Sequence, residues 1–343
     1  MITLPTQMSA GSICRVSICI PAFNGYAHLK ALIEELLALP RHDFEIVVSD
    51  DVSSDQTWPF IEELAGRDRR LRAARNEVNL GMDRNFAHVA SLARGEHLWF
   101  SGQDDLIQAD GLERVLDFLA GRPEIDFILM NHAKRVAGRF GEHMVEASHL
   151  EQHVFGVGLQ SYVTHTRHHL PTFLPTFLIR SELWRSVDVS RYFGTCYCQV
   201  GVFLEASRDI RWCHFAGNHV IGLLPPDGWQ SNPSAYVKIA FGHFAMLVRA
   251  AARAPWVTRD MLHAFFLLQK RRLVYSFMLL RHHRLQIDPA LVEEVTDAVR
   301  PFDEIARPAA VVRRAPRVSS SLALGLIESR RALRALLKAR RSA

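Results

Sequence analysis

The sequence predicts an α/β fold: a mostly parallel sheet with helices on both faces, followed by a helical extension at the carboxyl end. Three observations lead there. Buried, β-rich runs alternate with runs of helical period through the first half. The strand runs are almost continuously apolar, as in a sheet covered on both faces. The residues directly after them are polar, and in such sheets ligands sit beyond the carboxyl ends of the strands.

The elements follow in order. "RVSICI" at 15–20 reads as a first strand ending at Pro21, and "HLKALIEELLAL" at 28–39 as a helix with its apolar residues on one face. "FEIVVSD" at 44–50 is a second strand, "DQTWPFIEELAGR" at 55–67 a helix and "RLRAARN" at 70–76 a short third strand. "DRNFAHVASLA" at 83–93 and "EHLWFSG" at 96–102 continue the alternation. Asp110 and Glu113 have capping-box spacing ahead of a helix at 111–121, and "IDFILMN" at 125–131 is the next strand. Residues 138–175 are looser, rich in His, Gly and Pro. "PTFLPTFLIR" and "SELWRSV" then read as strand and helix, "CQVGVFLEASR" at 198–208 as a helix, and 218–232 as a strand ending in a polar loop. Residues 235–287 are helical in pattern, and a Pro/Arg-rich link precedes a last helix at about 322–340. The expected domains are an amino-terminal extension (1–14), a main domain (15–232, divided at 135/136), a helical region (233–304) and a basic tail (305–343).

With 343 residues, 48% of them hydrophobic and 22% charged, the chain has the profile of a globular protein with a sizeable core. The net charge of +5 is unevenly spread. From Arg307 onward there are ten Lys/Arg and only Glu328 as an acid, so the body is slightly acidic. That argues against a nucleic-acid-binding surface and for a basic tail with its own partner, anionic lipid being one candidate. Five cysteines in a chain of this length fit a reduced, cytoplasmic setting. Cys196 and Cys198 lack the spacing of a zinc site and read as small buried hydrophobes. No apolar run approaches a transmembrane span, and the amino terminus has no signal-peptide pattern.

The chemistry concentrates in "PAFNG", "SDDVSSD", "NLGMDRNF" and "GQDDL". The first has neither the dinucleotide fingerprint nor a phosphate-binding P-loop, which weighs against a dehydrogenase and a P-loop nucleotidase. Asp50, ending a strand, suits a base or ribose, whereas Ser54 or Asp55 suits a helix cap. Arg84 either reaches a diphosphate or pairs with Asp83 or another neighbour. Asp104 and Asp105 repel each other, and a hard divalent cation would relieve that repulsion; the alternative is a solvated acidic turn.

Taken together, "VSICIPAFN", "FEIVVSDDVSSDQT", "NLGMDRNF" and "GQDD" resemble the nucleotide-binding half of a family 2 glycosyltransferase with the GT-A (Rossmann-like) fold, over about residues 15–135. "GMDRNF", "GQDD" and "YFGTCYCQVGVFLEASRDIRW" are similar to the abequosyltransferase-like branch, which builds O-antigen or other bacterial surface polysaccharide. The resemblance implies nucleotide binding by Pro21, Ala22, Phe23, Asn24, Asp50, Asp51, Arg84 and Asp104. It also implies Mg²⁺ or Mn²⁺ at Asp104 and Asp105, with the family's D-x-D motif falling on Gly102, Gln103 and Asp104.

Two departures stand out. Gly102 replaces the first acid of that motif, and the place of the family's catalytic carboxylate is taken by "TCYCQVGVF", which contains none. The candidate bases are Asp227, in "PPDGWQ", and Glu205 on the helix; Trp229 is a candidate to stack on an acceptor sugar. An ordinary Pro-Asp-Gly turn is the other reading of Asp227. His165, His168 and His169 have no evident partner set and read as an acceptor-side loop, while His282 and His283 end a helix. The last helix is amphipathic and basic, and either lies on an anionic membrane surface or packs on the domain.

The expected function is inverting, metal-assisted transfer of a sugar from a nucleotide-sugar donor to a glycan or lipid-linked acceptor, in the cytoplasm or peripherally on the inner membrane face. A degenerate nucleotide- or glycan-binding scaffold and a sugar nucleotidyltransferase are the alternatives, the latter disfavoured by the absence of a Gly-rich basic loop after the first strand.

Overall fold

The structure is a computed structural model that describes residues 14–138, 141–146, 150–223, 238–258, 260–262 and 264–265. The chain divides into two compact units, Met1–Pro226 with Ala250–Val257, and Asp227–Arg249 with Thr258–Ala343.

In the first unit, β1 (Val16–Ala22), β2 (Phe44–Asp50), β3 (Leu71–Arg75) and β4 (His97–Phe100) lie side by side in the order β3-β2-β1-β4, all parallel. β2 and β4 are buried at every position, which is why they read as unbroken apolar runs. Between the strands run α1 (Tyr26–Leu37), α2 (Thr57–Arg67) and α3 (Met82–Leu92), and α4 (Ala109–Gly121) follows a short β5 (Asp105–Ile107). α1 buries Leu29, Leu32, Ile33 and Leu36 and α4 buries Leu112, Val115, Leu116 and Leu119, one stripe per helix.

Beyond β4 the sheet turns mixed. β6 (Phe127–Gly138), β7 (Gly141–Glu146), β8 (Val154–Val157), β9 (Phe177–Arg180) and β10 (Arg211–Leu223) extend the order as β4-β9-β6-β10-β5, with β7 on β6 and β8 on β10. β9 is antiparallel to both β4 and β6, and β5 to β10. The first four strands are all parallel, as expected, and β10 is parallel to β6, while β5, β7, β8 and β9 pair antiparallel with their neighbours, which needs no crossover helix.

Other expectations change too. The strand placed at 218–232 begins at Arg211. The looser region at 138–175 holds β7, β8 and α5 (Gly158–His165). Asp110 lies inside α4, whose first turn has no side-chain cap, so the capping box does not form. The helices at 177–208 are α6 (Ser181–Arg185) and α7 (Cys198–Ala206). Within the described part of 235–287, a π-helical turn at Lys238–His243 leads into α8 (Phe244–Ala251). Among the described residues no helix is long and apolar enough to cross a membrane. The final basic helix, His282, His283, Asp227 and Trp229 lie outside the described residues.

Candidate functional site

Three loops meet at the carboxyl ends of β1, β2 and β4. The amide of Gln103 pairs both ways with the Phe23 backbone: Oε1 accepts from its N–H at 2.8 Å and Nε2 donates to its carbonyl at 3.0 Å. Asn24, at φ 50°, donates its N–H to Ser53 Oγ at 2.9 Å and accepts from the Ser54 N–H at 2.8 Å. Asp55 accepts from the N–H groups of Thr57 (2.9 Å) and Tyr26 (3.3 Å), the first residues of α2 and α1, so it serves two helix starts. Burial works to raise its pKa, but these hydrogen bonds hold the carboxyl below its ordinary value.

Asp50 and Asp51 do different work despite their adjacency. Asp50 is fully buried; its Oδ2 accepts from the Ser53 N–H at 3.2 Å and faces Arg75 Nε at 3.4 Å, while its Oδ1 has no protein partner. A buried carboxylate oxygen without a donor is costly, so an N–H or O–H from a ligand would satisfy it. Arg75 also donates to the Ser53 carbonyl and lies over the Trp58 ring. Asp51 is committed to the chain: it accepts from Asn76 Nδ2 (2.8 Å), the Leu80 N–H (2.7 Å) and the Gly81 N–H (2.9 Å). These bonds shape the loop entering α3. Between Asp51 and Ser53, Val52 stands at φ 65°, a strained position for a β-branched residue, and such strain concentrates at functional loops.

Gly102 explains the missing acid. A Cβ built there would lie 2.7 Å from Asp105 Oδ2 and 2.9 Å from Asp104 Oδ1, so both carboxylates converge on the space its missing side chain leaves. Asp105 is buried and opens β5; Asp104 is half-buried. Among the described residues no group of three or more His, Cys, Asp or Glu converges as a self-sufficient metal site. Two converging carboxylates still fit Mg²⁺ or Mn²⁺, which take further oxygen ligands from water and phosphate.

Arg84 is exposed in the first turn of α3, with its guanidinium over the Phe193 ring at 5.0 Å. Glu205 stands on α7, where Arg191 Nη1 (2.6 Å) and the Tyr192 hydroxyl (3.1 Å) occupy its two oxygens. His165 has a partner after all: its Nε2 is 2.9 Å from His214 Nδ1, and its ring stacks on Trp212. All five cysteines are free, and burial, together with the nearby Asp83 carboxylate, pushes the Cys198 thiol well above its ordinary value. A cavity of about 550 Å³ between Pro123, Asp126, Arg180 and Arg211 lies at the opposite, amino-terminal end of the strands, where Asp126 pairs with both arginines.

Sequence reasoning missed two residues. Gln103 entered only as the middle position of the D-x-D motif, and Asp83 only as a possible partner of Arg84; their partners, Phe23 and Gly194, are 80 and 111 positions away.

Residues 17–180 match the family model described as glycosyl transferase family 2. The abequosyltransferase RfbV of Salmonella typhimurium is 27% identical over 208 residues, 55% of this chain and 60% of that protein. The poly(ribitol-phosphate) beta-N-acetylglucosaminyltransferase TarS of Staphylococcus aureus is 30% identical over 108 residues, 31% of this chain and 19% of that one. Matched stretches thus span less than two thirds of these relatives' own lengths. Residues 1–349 of S. aureus TarS, solved in complex with UDP-GlcNAc, share the fold at a TM-score of 0.63 and 18% identity, covering 87% of this chain and 83% of that one.

Proposed function

We propose that the chain, whose residues 17–180 match the family 2 model and which shares the GT-A fold of TarS, is a family 2 glycosyltransferase that moves a sugar from a nucleotide-sugar donor to an acceptor hydroxyl. The observation that carries this reading is the stitched cluster of strand-end loops, holding an unpartnered buried oxygen of Asp50 beside the converging Asp104 and Asp105.

In this reading Asp50 Oδ1 accepts from the nucleoside, with Phe23 and Asn24 lining the same loops and Pro21 and Ala22 fixing where β1 ends. Asp104 and Asp105 would hold Mg²⁺ or Mn²⁺, which when bound supplies neutralising charge for a diphosphate. Arg84 faces solvent at the amino end of α3 and offers its guanidinium edge to the departing phosphates. The acceptor hydroxyl must lose a proton to a carboxylate. Asp227 remains the candidate base and Trp229 the candidate sugar platform, both outside the described residues. Glu205 is the poorer candidate because Arg191 and Tyr192 occupy both its oxygens. The family points to inversion. The likeness to an abequosyltransferase supports a glycan or lipid-linked acceptor in bacterial surface polysaccharide synthesis; the basic composition of the carboxyl-terminal sequence is what supports peripheral contact with the cytoplasmic face of a membrane.

The test is a thermal-shift screen of nucleoside diphosphates and nucleotide sugars with and without Mn²⁺, followed by turnover of the best donor. A diphosphate that stabilises the protein only with the cation, and stops doing so in Asp104→Ala, supports the reading; equal metal-dependent binding and transfer in Asp104→Ala would remove the metal assignment. A scaffold reading rests on Gly102 in place of the first D-x-D acid and on the acid-free "TCYCQVGVF" at 195–203, and donor hydrolysis at any measurable rate excludes it.

A further inference from the structure

Asp83 lies in the first turn of α3, next to Arg84, yet its side chain is turned inward and is only 7% exposed. Its Oδ2 accepts the N–H of Gly194 at 2.8 Å and the N–H of Cys196 at 3.0 Å. Gly194 at φ 85° and Cys196 at φ 57° both stand in the left-handed region, so alternate N–H groups of the Phe193–Cys198 loop curl toward one oxygen, as a backbone does around an anion. The Cys198 thiol also hydrogen-bonds to Asp83. This loop comes from the second half of the main domain and runs into "TCYCQVGVF" at 195–203, the place where the family resemblance would put a catalytic acid. It also carries Phe193, whose ring lies under the Arg84 guanidinium.

We propose that Asp83 is a positioning residue: its carboxylate seats the Phe193–Cys198 loop against α3, and through the Phe193 ring that loop holds the Arg84 guanidinium at the leaving diphosphate. The inference rests on the transferase reading for the identity of the ligand. Its physical basis is pre-organisation. An arginine free in solvent samples many rotamers, whereas one stacked on a ring keeps its plane fixed and its edge N–H groups available to phosphate oxygens. Adjacent positions on one helix thereby divide the labour, Asp83 facing the loop and Arg84 facing solvent.

Two measurements on the full chain test this. Hydrogen exchange of the ligand-free protein should show residues 192–198 exchanging about tenfold faster in Asp83→Ala. Asp83→Asn, whose amide oxygen still accepts both N–H groups, should stay near wild type. Calorimetry with UDP, CDP, GDP and dTDP in Mn²⁺ selects the diphosphate bound most tightly. Asp83→Ala and Phe193→Leu should each weaken that diphosphate by about five- to tenfold while leaving the matching monophosphate unchanged, and the double variant should lose no more than the worse single one. Phe193→Leu carries the test if Asp83→Ala does not fold. Unchanged exchange in Asp83→Ala, equal losses for mono- and diphosphate, or additive losses in the double variant overturn the proposal. A wild type that binds none of the four diphosphates overturns the transferase reading and Arg84's share with it, while the exchange result still judges the seat.

Discussion

At the scale of the residue, the informative position is one without a side chain. Gly102 stands where the family resemblance calls for an acid, which suggests a weakened cation site by composition alone. The geometry reverses that reading, because Asp104 and Asp105 already fill the space a side chain would need. Gly102→Asp, nominally a restoration, should therefore lower diphosphate affinity in Mn²⁺ by tenfold or more, since the new carbon forces both carboxylates aside and adds a third negative charge. Calorimetric titration checks it, and an affinity equal to or above wild type would mean that the two carboxylates do not converge as described. Asp50→Asn belongs at the same scale. It replaces a buried oxygen that lacks a donor, so nucleotide affinity should fall about tenfold while the urea midpoint moves little.

At the scale of the element, carboxylates fix how helices begin. Asp55 satisfies N–H groups at the starts of α1 and α2, and Asp51 holds the loop that delivers α3. Asp51→Ala leaves the Leu80 N–H and one Asn76 Nδ2 proton without an acceptor, while the Gly81 N–H keeps Asn79 Oδ1 and Asn76 Nδ2 keeps Asn85 Oδ1, so it should cost about 1–3 kcal/mol in chemical denaturation. Gly201 in α7 gives a second prediction. Glycine to alanine inside a helix ordinarily stabilises by about 0.5–1 kcal/mol. Here the added carbon would meet the Tyr192 ring at 2.2–2.5 Å, and that ring is buried with its hydroxyl on Glu205. Overpacking of this kind costs about 1–3 kcal/mol, so Gly201→Ala should destabilise, read as a lowered thermal midpoint.

At the scale of the molecule, buried and half-buried histidines set the response to acid. His97, His132 and His214 are held down to about 4, burial being the largest cause at each. The unfolded chain protonates these rings as pH falls through about 6.5 and the fold does not until about 4, so unfolded protein binds more protons across that window. Stability should therefore fall on acidification from pH 6.5 to 4, by up to about 1.4 kcal/mol per pH unit for buried His97 and by less for half-buried His132 and His214, and urea midpoints at several pH values measure it. Below that window, loss of the carboxylates of Asp43, Asp68 and Asp126, whose pKa values are lowered in the fold, continues the decline. The sequence by itself determined the alternation of β1 to β4 with their helices, the polar loops at the strand ends and Asp55 as a cap, because burial on both faces and helix starts leave local patterns of composition and spacing. Only the tertiary structure decided that β9 runs against its neighbours, that Gln103 grips Phe23, that Asp51 serves the chain while Asp50 keeps an open oxygen, and that Asp83 seats a loop 111 positions away. These depend on which segments the sheet brings side by side, and a hydrogen bond between distant residues leaves no periodicity in either of them.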